Sequence, residues 1–102
     1  MKSTYMFSHN TTFATHKEIV DYFKSSELII TWRKELPFSY FIVSEADASE
    51  ICNEMIKTLG NEPGAQFLVA QLNANCQGLL EERSWTIINE QRLPPKPSPS
   101  LE

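Results

Sequence analysis

The segment FSYFIVS, residues 38–44, decides the fold of this chain. It is rich in aromatic and β-branched residues, which fit a pleated and buried surface. Both of its alternating sets are largely apolar, with Phe38, Tyr40 and Ile42 on one side and Phe41 and Val43 on the other. A strand with no face suited to water is typical of the interior of a sheet. The segment therefore predicts a central strand.

A long helix follows this strand over residues 47–59. Its start fits either of two capping pairs, Ser44 with Asp47 or Asp47 with Glu50. Apolar residues then recur at helical spacing, at Ile51, Cys52, Met55, Ile56 and Leu59. Gly60 and the following Asn, with Pro-Gly shortly after, predict the end of the helix.

An earlier helix is predicted over residues 15–25. It opens with the sequence THKE, which has the S/T-x-x-E form of a capping box between Thr15 and Glu18. Ile19, Val20 and Phe23 then share one face.

The remaining apolar runs predict three more strands, over residues 3–9, 28–36 and 66–72, and a short last helix over residues 81–90 in which Trp85 and Ile88 share a face. Pro37 places a turn between the second and third strands, over residues 34–38. The order is β-α-β-β-α-β. We expect each main helix to connect adjacent parallel strands by a right-handed crossover. The predicted class is α+β, ferredoxin-like, with a four-stranded antiparallel sheet in the order 4-1-3-2, two helices on one face and a short C-terminal helix.

Length and composition indicate one domain. The chain has 102 residues, of which 41% are hydrophobic, enough for a single core. We assign residues 1–93 to the domain and residues 94–102 to a disordered proline-rich tail that ends in tag residues, Leu101 and Glu102. No signal peptide or membrane-length apolar run is present in the sequence, which predicts a cytoplasmic protein without membrane contact.

The charge pattern does not support nucleic-acid binding. Nine Lys and Arg residues stand against thirteen Asp and Glu, and the basic residues are scattered, with only Arg33 and Lys34 adjacent. Phosphate-driven binding needs a basic stripe. Nucleic-acid binding remains an alternative only as a local contact, or in a dimer that brings two Arg33-Lys34 pairs together.

The sequence lacks the patterns of common catalytic and cofactor sites. Its three glycines do not form a phosphate loop, and its two histidines lack the ligand spacing of a metal site. Cys52 falls on an apolar helix face, whereas Cys76 lies in a polar loop as an incidental thiol. We therefore predict no metal and no cofactor.

The candidate site residues are one histidine and four residues of the second and third predicted strands. His9 lies where the first strand ends, a place where small sheets present reactive groups, and histidine side chains can transfer protons near neutral pH. His16, in the first turn of a helix, is expected at the surface. Trp32 and Phe41 fit either aromatic platforms for bases or core and interface packing, and with Arg33 and Lys34 they form the candidate binding set.

Five features of the sequence form one pattern: Ser8-His9 at the end of a strand, Trp32, the FIVS segment before a capped helix, FLV at residues 67–69 and QGLL at residues 77–80. This pattern resembles that of a group of small bacterial ferredoxin-like proteins. These are related to the CRISPR adaptation subunit and to the antitoxin ribonuclease GhoS. The resemblance implies homodimers, of which some cleave RNA or DNA. The CRISPR subunit has a metal-binding aspartate after its first strand, where this chain has His9 and Asn10, so no catalytic residue is carried over.

Two functions follow as expectations. The first is a non-enzymatic homodimeric interaction or regulatory module with a protein partner, in a toxin–antitoxin or mobile-element setting. The dimer is expected because two helices cover only one sheet face and an exposed apolar face favours association. The alternative is a weak ribonuclease with His9 as general acid or base.

Overall fold

A computed structural model of the chain describes residues 1–73, 78–80 and 82–90. Its elements are β1 (Ser3–His9), α1 (His16–Ser25), β2 (Ile29–Leu36), β3 (Ser39–Ser44), α2 (Ala48–Leu59), β4 (Phe67–Gln71) and α3 (Glu82–Glu90). Within these ranges no helix is both long and apolar enough to cross a bilayer. The predictions for Cys76 and for the tail at residues 94–102 lie outside the described residues.

The four strands form one antiparallel sheet in the order β2-β3-β1-β4. This arrangement confirms the predicted α+β class and the 4-1-3-2 order, and it is compatible with the ferredoxin-like fold. The expectation that each main helix joins adjacent strands is wrong, because β3 lies between β1 and β2, and β1 lies between β3 and β4. The inner positions go to β1 and β3, whose apolar residues on both faces are best removed from water there.

The two main helices begin where local chemistry predicts. Thr15 accepts from the backbone N–H of Glu18, and the Glu18 carboxylate accepts from the N–H of Thr15. At α2 the same reciprocal pair forms between Asp47 and Glu50, which decides between the two pairs left open by the sequence. Each box satisfies two amide groups that a helix start otherwise leaves unpaired.

One sheet face and the inner sides of α1 and α2 enclose the main core. Phe7, Trp32, Tyr40 and Ile42 reach it from the strands, and Ile19, Phe23, Ile51 and Met55 reach it from the helices. Aromatic rings dominate this core, and Phe7 contacts the rings of Phe13, Phe23, Tyr40 and Phe67. Such packing fixes the strands and helices that carry the pocket described below.

The second sheet face is partly covered by α3. Ile87 and Ile88 of this helix pack with Phe41 and Val43 in a separate small cluster. The Thr4 hydroxyl also donates to the carbonyl oxygen of Ile87 at 3.2 Å. The part of the apolar face that motivated the dimer argument is thus covered within the chain. The predicted partnership of Trp85 with Ile88 rests on a Trp85 side chain that lies outside the described atoms.

Candidate functional site

A small pocket lies where the end of β1, the start of α1 and the turn between β2 and β3 meet. Its volume is about 230 Å³. Its lining residues are His9, Thr11, Ala14, Thr15, His16, Lys34, Pro37, Phe38 and Tyr40. Buried residues form its floor and exposed ones its rim. We call it the imidazole pocket, because it contains both histidines of the chain.

His9 is held in the floor of the pocket in one orientation. Its Nδ1 donates to the carbonyl oxygen of Asn10 at 2.7 Å, and a carbonyl oxygen can only accept. Asn10 is itself fixed, since its side-chain nitrogen donates to the carbonyl oxygen of Gly64 at 2.8 Å and its side-chain oxygen accepts from the N–H of Phe13 at 3.0 Å. In the neutral ring the lone pair therefore lies on Nε2.

The Nε2 atom of His9 is buried, and no described protein group forms a hydrogen bond with it. The residue as a whole is 9% exposed. A buried polar atom without a partner costs about 1–3 kcal/mol. The Phe38 ring meets the His9 ring edge-on, at a ring-centre distance of 5.7 Å.

His16 and Tyr40 form the second polar element of the pocket. The His16 Nδ1 and the Tyr40 hydroxyl share a hydrogen bond of 2.6 Å, and their rings stack with an interplanar angle of 7°. The His9 ring also stacks on Tyr40, at 17°. Tyr40 thus orients both imidazoles. Desolvation, followed by the charge of Lys34 and by His9, lowers the pKa of His16 below its ordinary value of 6.5.

Lys34 reaches the pocket because of a register shift in the hairpin. Leu36 pairs with Ser39, but an irregularity follows, and Lys34 then pairs with Tyr40. Residues directly opposite in a sheet share a face. Without the shift Glu35 would pair with Tyr40 and occupy this side. Among the described residues that line the pocket, none carries a carboxylate, although the chain as a whole has a net charge of −4.

Phe38 forms part of the rim in an unusual backbone conformation. Its φ is +66°, and its position after Pro37 is the one that needs positive φ in a type II turn, where glycine or asparagine is usual. For a bulky side chain this conformation costs on the order of 1–3 kcal/mol. Its carbonyl oxygen accepts from the N–H of His9 at 3.0 Å, while the residue remains 48% exposed.

The structure separates the predicted site residues. His9 and Lys34 meet in the imidazole pocket. Arg33 faces the other side of the sheet, where its Nε donates to the Ser84 hydroxyl at 3.0 Å, and the same hydroxyl contacts the carboxylate of Glu35. Phe41 packs under α3 and Trp32 lies in the main core, so neither ring meets solvent in this conformation.

Three residues of the pocket were not among the site residues predicted from the sequence: His16, Tyr40 and Phe38. His16 was expected at the surface, and it is half-buried against Tyr40. A signal was present in the capping box, which fixes the helix start at Thr15 and so places His16 in the first turn. No local pattern in the sequence indicated which strand His16 would contact.

Two other cavities are larger, at about 420 and 320 Å³, but in the described part of the chain neither is lined by a lysine or an arginine. A second cavity lies between Phe13 and Phe67 and the end of α2 at Gly60, and a shallow one lies beside His9 and Leu68. Among the described residues, no group of three or more His, Cys, Asp or Glu side chains can hold a metal ion.

No family model, no curated protein and no solved structure matches this chain.

Proposed function

We propose that this protein is a small regulatory binding module, and that the imidazole pocket takes a phosphate-type anion. The observation that carries the proposal is a pair of basic side chains without a carboxylate: Lys34 and His16 line a pocket of about 230 Å³, and none of its described lining residues is acidic. A single tetrahedral oxyanion fits this volume, which lies below the range of drug-sized ligand sites.

The charges in the pocket suit an anion. Lys34 supplies a full positive charge, and a hydrogen bond to a charged group contributes about 1.5–3 kcal/mol. His16 supplies an N–H in its neutral form and a second charge when it is protonated. A bound anion favours that protonated form, so binding and His16 protonation reinforce each other.

The test is the affinity for inorganic phosphate, measured by calorimetry at constant ionic strength. We expect Lys34→Gln to weaken binding about tenfold or more, because it removes a charge-assisted hydrogen bond. Lys57→Gln removes the same charge from the last turn of α2, outside the pocket, and should leave the affinity nearly unchanged. Equal losses in both variants, or no binding to the wild type, would refute the proposal.

A weak ribonuclease is the second candidate, because two imidazoles lie against one tyrosine ring in the same pocket. Paired imidazoles are able to act as general acid and general base. The covered Nε2 of His9 argues against this candidate, since a proton-transferring atom must reach the substrate. RNA cleavage that disappears in His9→Ala, with the fold retained, would favour the ribonuclease over the binding module.

We also propose that the module acts as a homodimer. In the described part of the chain β4 is an edge strand, and its Leu68 is 65% exposed. Edge strands with free backbone groups favour pairing with another strand, and a second copy does so with two-fold symmetry. Sedimentation equilibrium at micromolar concentration tests this, with Leu68→Lys as the variant expected to shift the mass toward the monomer. A monomer mass for the wild type would contradict it. The toxin–antitoxin setting expected from the sequence stays a prediction.

A further inference from the structure

The imidazole pocket is too small for a whole metabolite with a phosphate group. Its volume of about 230 Å³ is below the range of about 300–1,000 Å³ that is typical of small-molecule sites. The remainder of any phosphate ester must therefore lie at the rim. The rim residue with the largest apolar surface is Phe38, which is 48% exposed.

Phe38 is held at the rim by its backbone and not by burial of its ring. The turn position requires positive φ, where glycine or asparagine would avoid the strain. The chain nevertheless has an aromatic residue there, with its ring edge against His9 at a centre distance of 5.7 Å. Strained backbone of this kind is concentrated at ligand-binding sites. The ring is the part of this residue that a ligand can use.

An exposed aromatic ring beside a phosphate site fits one common class of ligand, since every nucleobase has a flat face that stacks on such rings. We propose that the imidazole pocket binds the phosphate group of a nucleoside monophosphate whose base stacks on Phe38. This inference rests on the proposed function of the pocket. A single nucleotide is favoured over an RNA strand, because a strand needs a basic groove along several phosphates, and the basic residues of this acidic chain are scattered.

The test compares three probes by calorimetry on the full chain: inorganic phosphate, ribose 5-phosphate and uridine 5′-monophosphate. Base stacking on an aromatic ring corresponds to roughly 5- to 150-fold in affinity. We therefore expect the nucleotide to bind the wild type more tightly than ribose 5-phosphate by a factor in that range. In Phe38→Asn, which suits positive φ and keeps the turn, the ratio should fall to about one while ribose 5-phosphate binds as before.

Two further variants complete the experiment. Phe38→Tyr retains an aromatic ring and should retain the preference for the nucleotide. Leu36→Asn changes another exposed apolar residue, 55% exposed and outside the pocket, and should leave the preference unchanged.

The outcomes separate this inference from the function on which it rests. Phosphate and ribose 5-phosphate binding without a nucleotide preference would overturn the inference and leave the anion pocket intact. Failure of all three probes to bind would overturn both. A 5′-phosphorylated oligonucleotide that binds more than about tenfold tighter than the mononucleotide would overturn the inference in favour of a strand ligand.

Discussion

Two buried tyrosines, Tyr22 and Tyr40, anchor two polar clusters that look alike but differ in how their hydrogen bonds are satisfied. The Tyr22 hydroxyl donates to the Glu54 carboxylate at 2.6 Å, and the Ser26 hydroxyl donates to the same oxygen at 2.5 Å. The Ser26 hydroxyl oxygen in turn accepts from the N–H of Leu28 at 3.0 Å. This cluster joins α1 to α2 and satisfies its members internally.

The Tyr40 cluster is different in charge and in its remaining capacity. It contains a lysine and two histidines, no carboxylate lines its pocket in the described part of the chain, and the His9 Nε2 has no partner there. Its tyrosine is hydrogen bonded to a histidine at the same 2.6 Å. A buried tyrosine therefore does not by itself indicate a site. A better indication is a hydrogen-bonding group without a described partner in a residue that lines a cavity, as at His9.

The titration behaviour of the two clusters differs in the same way. Burial, followed by the hydrogen bond to Glu54, raises the pKa of Tyr22 well above its ordinary value, so the Tyr22 hydroxyl stays protonated across the neutral range. Desolvation, followed by the charge of Lys34 and by His9, lowers the pKa of His16. We therefore expect the charge of the pocket, unlike that of Tyr22, to change with pH.

The largest effect is expected at the core that both clusters share. Ile42 is fully buried in β3, two residues from Tyr40. Ile42→Ala should lower the free energy of unfolding by about 2–5 kcal/mol, because it removes buried methyl groups and leaves a cavity. Urea denaturation measures this loss. A loss below about 1 kcal/mol would contradict the packing described for the central strand.

A smaller effect should distinguish the clusters directly. Glu54→Ala leaves the buried hydroxyls of Tyr22 and Ser26 without their acceptor, and we expect a loss of about 1–3 kcal/mol in the free energy of unfolding. Lys34→Ala alters the pocket without leaving buried hydroxyl groups unpaired, and it should lower the free energy of unfolding by less than about 1 kcal/mol. Urea denaturation of both variants tests the comparison, and a larger cost at Lys34 would reverse it.

The smallest effect is a pH dependence of stability at the pocket. His16 has a lower pKa in the folded chain than the ordinary 6.5, so the unfolded chain binds its proton first as the pH falls. The His16 contribution to the free energy of unfolding is therefore fully present above pH 6.5, declines below it, and levels off below the folded pKa. His16→Asn should remove this component, as a comparison of denaturation curves between pH 5 and 8 will show. An unchanged pH profile would contradict the assignment.

Much of the fold was predictable because its signals are local. The bounds of β1, the capping boxes at Thr15 and Asp47, and the apolar stripe of α2 all depend on residues close in sequence. The apolar residues on both sides of β3 indicated a central strand, and β3 lies between β2 and β1. The predicted strand order is confirmed, whereas the expectation that α1 and α2 join adjacent strands is wrong, because another strand lies between the two strands that each helix connects.

The pocket was not predictable for a physical reason. Its members come from β1, α1, β2 and β3, and the register shift between Lys34 and Leu36 determines which charged side chain faces Tyr40. A shift of one residue would have presented Glu35 and reversed the sign of the charge. No pattern in the sequence marks that irregularity, so the pocket could be identified only from the three-dimensional structure.

The most direct test of the anion pocket is the pKa of His16, followed by NMR through its ring signals, with and without inorganic phosphate at constant ionic strength. The groups that face His16 from neighbouring strands are Lys34, His9 and Tyr40, and none of them carries negative charge near neutral pH. We predict a pKa below 6.5 in the free protein and a rise on phosphate binding, with the rise weakened in Lys34→Gln and retained in Lys57→Gln. A His16 pKa that phosphate does not change would contradict the account.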